Sequence, residues 1–232
     1  MGLCLGFFGA TAQEGEGFDL RFLEQRAAYA EAMSRHLLTV EVEIPPPPPY
    51  SADHPLRYDG VAVVIAPGRA VTTATYLFDA TELTLTGEGG ARFVGEVIRR
   101  DARLDLALLS FPPAASPSAR PVPGVTGADL PREGDNAVGQ AIMPSVIGGE
   151  GVQIREAALR WDEGTLYLSG PARNGVPAFD ERLRLVALAR TPTPDMLRSS
   201  AVSAESLRAF LGSVTTDESA RRGGADKKPA PR

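Results

Sequence analysis

Apolar residues in this chain follow two rhythms, separated by clear turn signals. The first is helical. Phe18, Phe22, Leu23, Ala27, Ala30 and Met33 recur at helical spacing, which predicts a helix from Phe18 to Arg35 with Glu24, Arg26 and Glu31 elsewhere on its surface. The second has period two. Residues 37–44 alternate as a half-buried strand until Pro45 to Pro49 stop it, because proline cannot donate to a ladder and holds φ near about −65°. Five prolines in a row form a stiff polyproline II rod. A rigid spacer in a surface loop is the better account of it than a docking ligand for an aromatic groove.

Short strands then come in quick succession at 61–65, 70–73, 82–86, 93–98 and 106–109, each bounded by Gly, Pro or Asp. Residues 112–117 are rich in proline and read as a linker to a second lobe, where 136–141, 151–154, 166–168 and 183–188 are further strands. A closing helix runs from Ser203 to Leu211. Ser203 suits its N-cap, Ser206 stands at N3 where a capping box prefers Glu, and Leu207, Phe210 and Leu211 form its apolar face. Residues 213–232 carry few large apolar groups and mixed charge, the composition of a disordered tail. Such spacing predicts an all-β chain built as a small antiparallel barrel or a sandwich.

Composition narrows the chemistry. A net charge of −5 argues against a nucleic-acid partner, which requires a clustered basic face. The single Cys4 excludes a disulfide framework within the chain, and only two histidines, His36 and His54, argue against a multi-histidine metal site. With no phosphate-cradling Gly-rich loop after a strand, no metal and no organic cofactor is implied. No apolar run is long enough to span a bilayer. Leu3 to Phe8 is nonetheless apolar, and Ala10-Thr11-Ala12 resembles a small-residue cleavage site. Residues 1–12 are therefore a candidate signal segment, lacking the usual basic n-region, and point to export to the periplasm or beyond. An apolar N-terminus on a cytoplasmic protein is the alternative.

Several segments taken in order carry a family resemblance. They are Ile65-Ala66-Pro67-Gly68, Val71-Thr72-Thr73-Ala74-Thr75, Asp79-Ala80 and the Asp-x-x-x-Asp-Leu-Ala-Leu-Leu element from Asp101 to Leu109. Gly127 to Asp135, Pro171 to Leu188 and Arg198 to Leu211 follow at matching spacing. The chain from about residue 37 to residue 211 thus resembles the trypsin-like serine proteases, especially the high-temperature-requirement branch. The resemblance implies two antiparallel six-stranded barrels flanked by an N-terminal and a C-terminal helix. The N-terminal helix would occupy 13–36, the barrels 37–116 and 117–212 (the second with its closing helix), and the tail 213–232.

The resemblance also assigns roles, and here the chain departs from the pattern. Thr75 stands where the family's histidine belongs, Asn174 where the nucleophilic serine belongs, and Asp105 keeps the aspartate position. Threonine does not titrate near neutrality, so it cannot serve as the base, and an amide is neither nucleophilic nor ionisable. The oxyanion-hole amides would come from residues 172 and 174, but Ala172 replaces the usual glycine and Val176 adds bulk nearby. In subtilisin, losing the nucleophile or the base removes on the order of 10⁶ in kcat. His36 and His54 match no part of the motif. Asp105 is expected to persist as a structural acceptor, with the Thr75 hydroxyl as a donor to it.

The expected function is that of an inactive homologue that binds a protein or peptide partner. Strand addition in the old substrate manner is weakened by Pro192 and Pro194, which lack N–H groups. Two alternatives stand beside it. One is a serine peptidase using an unconventional site at Ser169, which lies in a Ser-Gly-Pro sequence. The other is a structural or assembly protein of the cell envelope.

Overall fold

Strands that are apolar on alternate positions and strands that are apolar throughout play different parts in the architecture. The computed structural model describes residues 20–44, 55–126, 133, 138–148 and 151–212. The candidate signal segment, the proline run with His54, most of 127–137 and the C-terminal tail lie outside the described residues. Helix α1 (Leu20–Ser34) leads into β1 (Leu37–Ile44), β2 (Leu56–Ala66), β3 (Arg69–Thr73), β4 (Glu82–Thr86), β5 (Arg92–Asp101) and β6 (Leu106–Ser110). These close into a barrel in the order β1-β2-β3-β6-β5-β4. Then β7 (Gly139–Gly148), β8 (Gly151–Asp162), β9 (Thr165–Ser169), β10 (Pro177–Phe179), β11 (Leu185–Pro192) and β12 (Arg198–Ser203) close in the order β10-β11-β12-β9-β8-β7. A final helix, α2, covers 204–212. Two closed six-stranded antiparallel barrels with a helix at either end are the expected architecture, and closure rules out an open sandwich.

Alternation explains which strands lie between the barrels. In β2, β3 and β6 the side chains of Ala62, Val64, Ala70, Ala107 and Leu109 fill the first barrel with Leu38, Val40 and Leu85. Their neighbours Val61, Val63, Val71, Leu106 and Leu108 point the other way and pack with Val176, Phe179, Val186 and Leu188 of the second barrel. Both faces are dry, so residues 61–66 of β2 and 106–109 of β6 read as continuous apolar runs, while β3 also buries Thr72 and Thr73. By contrast β4, at Glu82–Thr86, shows its hydroxyls and carboxylate to solvent and buries only Leu83 and Leu85. Each fully buried Leu or Val contributes about 1.5–3 kcal/mol, so the shared wall is a large share of the cohesion.

Two strands had no periodic signal. β10 spans only Pro177–Phe179, and β12 is mostly small and polar, yet it pairs with β9 from Arg198↔Ser169 to Ala201↔Leu166. Only the resemblance pointed to them. β2 also begins earlier than its apolar run, because Leu56 to Asp59 extend the ladder with β1 through exposed or half-exposed residues.

The two helices brace the barrels crosswise. α1 precedes the first barrel, but Arg26 Nε donates to the Ile154 carbonyl of β8 (3.1 Å) and the Tyr29 hydroxyl donates to the Glu181 carbonyl (3.0 Å). α2 follows the second barrel, and its Phe210 ring lies 5.2 Å beneath the guanidinium of Arg99 in β5. The expected cap forms, with the Ser206 amide donating to Ser203 Oγ at 3.3 Å.

The barrels meet most closely at Gly175. Its φ of +74° is left-handed, and a Cβ there would stand 1.9 Å from the Val61 carbonyl oxygen and 2.4 Å from Thr72 Oγ1. Gly175→Ala is therefore expected to lower unfolding free energy by about 3 kcal/mol or more, adding overpacking to the left-handed strain. Gly89 has nearly the same φ, +75°, with nothing within 4 Å, so Gly89→Ala should cost only about 1 kcal/mol. Denaturant titrations of both variants check this; equal losses would remove the close approach as the cause.

Candidate functional site

The geometry at Asp105 follows from how two turns end. β3 finishes at Thr73, and Ala74 opens a single tight turn over Thr75–Leu77. The freed amides at the start of that turn need acceptors. Ala74 and Thr75 donate their amides to Asp105 Oδ1 at 3.0 and 2.8 Å, and the Thr75 hydroxyl donates to the same oxygen at 2.7 Å. Asp105 itself sits at φ +55°, a left-handed turn conformation that aspartate tolerates, immediately before β6. Its second oxygen lies 3.2 Å from Arg190 Nε at the end of β11. Arg190 Nη2 also donates to the Leu104 carbonyl at 3.0 Å. The Asp105–Arg190 contact is an ion pair without hydrogen-bond alignment at Nε. Three donors occupy one carboxylate oxygen and a guanidinium faces the other.

Asn174 and Ala172 lie in the loop between β9 and β10. The Ala172 amide donates to the hydroxyl of buried Ser199 (2.8 Å), which in turn donates to the Gly170 carbonyl (3.2 Å). That amide is thus committed to a side chain of β12. The Asn174 carbonyl accepts the Val61 amide at 2.9 Å, while the Gly175 amide donates to the Ala189 carbonyl at 2.8 Å. Arg173 reaches across to Asp59 on β2, with an Nη1–Oδ2 distance of 2.7 Å. One loop of the second barrel is therefore fastened to the first by backbone, charge and close packing.

Beneath this seam is a buried hydroxyl pair. Thr72 Oγ1 donates to the Val61 carbonyl (2.6 Å) and lies 2.9 Å from the Tyr76 hydroxyl. Burial pushes the Tyr76 phenol well above its ordinary 10.0; the Thr72 hydrogen bond opposes this, and the charges of Asp59 and Asp105 add to it. Gly60 is required here, since a Cβ would stand 2.5 Å from the Tyr76 ring.

A cavity of about 280 Å³ opens beside the loop, lined by Asp59, Arg155, Ala172, Arg173, Asn174 and Pro192 among others. Its lip is the β11–β12 hairpin, where Asp195 accepts the Thr193 hydroxyl (2.5 Å) and the Leu197 amide (3.0 Å). Those bonds, the Thr193 hydroxyl first, hold the Asp195 carboxyl below its usual range. Thr75 and Asp105 do not line this cavity. The structure thus pairs Thr75 with Asp105 and groups Ala172 with Asn174. From Asn174 a chain of hydrogen bonds runs through Val61 and Thr72 to Tyr76, the residue after Thr75.

The other candidates are elsewhere. His36 Nδ1 is 2.7 Å from the Arg120 carbonyl. Ser169 Oγ accepts the Ala158 amide at 2.9 Å, a bond within its own sheet. Among the described residues no cluster of three His, Cys, Asp or Glu side chains could hold a metal, and no helix is long and apolar enough to cross a membrane. Sequence reasoning missed Arg190, Ser199 and Arg155. Arg190 left a trace, a charge directly after the buried run ending in Ala189; the other two left none.

No family model and no curated protein matches the chain. Among solved structures it is similar to a human pathogenic astrovirus serine protease, with a TM-score of 0.48 and 18% identity over 73% of this chain and 90% of that one. The fold assignment stands on the barrels' own strand order and closure, independently of that likeness.

Two outcomes are expected. Asp105→Ala should destabilise by about 3 kcal/mol, since it strips turn amides of their acceptor and leaves a half-buried guanidinium unpaired. In an Arg190→Met background the same change should cost less, which a double-mutant cycle by chemical denaturation measures. For Tyr76 the folded pKa is raised, so its stabilising effect is complete below the unfolded value of 10.0 and is lost as pH rises above it. Wild-type stability should therefore fall more steeply than that of Tyr76→Phe between about pH 10 and 12, by up to about 1.4 kcal/mol per pH unit.

Proposed function

We propose that this protein is a non-catalytic homologue of the trypsin-like serine proteases, of the high-temperature-requirement branch, that binds a protein or peptide partner. The binding site is the cavity where the Ala172–Asn174 loop meets the first barrel. The observation that carries this reading is the saturation of Asp105. In the family's mechanism that carboxylate holds an imidazole in its working tautomer. Here its oxygens serve the Thr75 hydroxyl, two turn amides and Arg190 instead. The Ala172 amide supports the same conclusion, because it is spent on Ser199 and does not serve an oxyanion.

Binding by strand addition alone is disfavoured. Pro192 ends β11 and lines the cavity without an N–H to offer. Recognition then depends on side chains entering the cavity. A hydrolase built on Ser169 lacks support too, since its hydroxyl is engaged by a ladder amide and no imidazole or carboxylate is among its described partners.

Purified protein is expected to leave fluorescent casein intact and to resist labelling by a fluorophosphonate. Restoring the family residues with Thr75→His and Asn174→Ser together should still give less than about one thousandth of a working protease's rate, because Arg190 and Ser199 keep the carboxylate and the amide occupied. Casein cleavage by the wild type that disappears in Asn174→Ala or Thr75→Ala would overturn the reading. Full activity in the double variant would show that occupied partners at Asp105 and Ala172 do not block catalysis.

A further inference from the structure

Arg155 lines the cavity, and the family pattern gives it no role. It stands on β8, and its guanidinium donates from Nη1 to the Ser169 carbonyl (2.7 Å) and from Nη2 to the Pro171 carbonyl (3.3 Å). Both acceptors are neutral. A guanidinium carries five N–H donors in a rigid fork, so three remain beyond these two. Among the described residues no carboxylate lies within ion-pair distance of it, although burial is already lowering its pKa. The other charges at the cavity cancel, because Asp59 and Arg173 pair with each other at 2.7 Å. The cavity is left with one uncompensated, orientated cation.

We propose that this cavity receives the acidic side chain of a bound peptide, with Arg155 as the residue that selects it. The inference rests on the reading of the cleft as a peptide-binding site and names its ligand class. Size agrees: about 280 Å³ lies at the small end of ligand pockets, enough for one side chain. Pro144, Val176 and Met196 supply apolar wall against which the methylenes of glutamate can pack. The fork offers charge-assisted bonds to the carboxylate that neutral glutamine cannot match. Since Pro192 withholds a backbone donor, side-chain recognition carries a larger share of affinity here. A basic side chain would have to displace Arg173 from Asp59 and then sit beside Arg155, so it is disfavoured.

The test uses fluorescent hexapeptides, acetylated and amidated, that differ only in one central residue: Glu, Gln, Lys or Phe. Anisotropy titrations of the full chain should show the Glu peptide binding about tenfold or more tighter than the Gln peptide. Arg155→Gln should bring that ratio within about twofold while Gln-peptide binding persists. Because Arg155 also holds two loop carbonyls, a wild-type measurement stands beside the variant: glutarate should shift the Arg155 Nε–Hε resonance. Binding of all peptides without Glu preference, or with Lys preferred, overturns the proposal and leaves the cleft reading intact. A fifth peptide, with central Gln and a free C-terminal carboxylate, overturns the side-chain source if it alone binds tightly. If no peptide binds but glutarate shifts Arg155, the cleft reading fails and the peptide proposal with it, leaving Arg155 as a site for small carboxylates only. Neither peptide binding nor a glutarate shift overturns both.

Discussion

The two barrels approach each other most closely at the backbone of Val61. The Val61 amide goes to the Asn174 carbonyl, its own carbonyl takes the Thr72 hydroxyl, and Gly175 packs directly on that carbonyl. Ladder bonds on its strand would ordinarily serve a neighbour in the same barrel. Here the amide serves a loop of the other barrel, while the carbonyl takes a side chain of its own barrel. The Thr72–Tyr76 pair sits under the same seam and supports the turn that carries Thr75. A shift at Val61 would move all of these together, because close-packed interiors do not deform by degrees.

The charge arrangement obeys a second constraint, that a carboxylate withdrawn from water must be satisfied. Threonine has a short side chain, and at position 75 its hydroxyl reaches Asp105 directly at 2.7 Å. Arg190 supplies the compensating charge from the second barrel, across the interface. The Asp105 carboxylate is thus a tie between two turns and two barrels.

The legibility of the fold varied with burial. Runs such as 61–65 and 106–109 were recognisable as strands because both faces are dry, though nothing in them said which face met which barrel. Leu37–Ile44 was recognisable to its ends, since its alternation matches one buried face and the prolines terminate it. Pro177–Phe179 and Arg198–Ser203 were silent: the first is too short to show a period, and the second buries small and polar residues such as Ser199. Barrel closure, as opposed to a sandwich, came from the resemblance alone.

Residue identity settled the chemistry that threonine and asparagine can perform at 75 and 174, because pKa and nucleophilicity belong largely to the functional group. Position along the chain also made the Thr75–Asp105 contact foreseeable, given the family pattern. Which groups bond to Asp105 and to the Ala172 amide was decided by tertiary structure. Arg190 meets Asp105, far from it in sequence, only because two barrels dock, and Ser199 claims the Ala172 amide only because β12 lies behind the loop. The orientation of Arg155 toward a cavity is of the same kind. Long-range partners depend on strand register and barrel closure, and no local pattern of residues encodes either one.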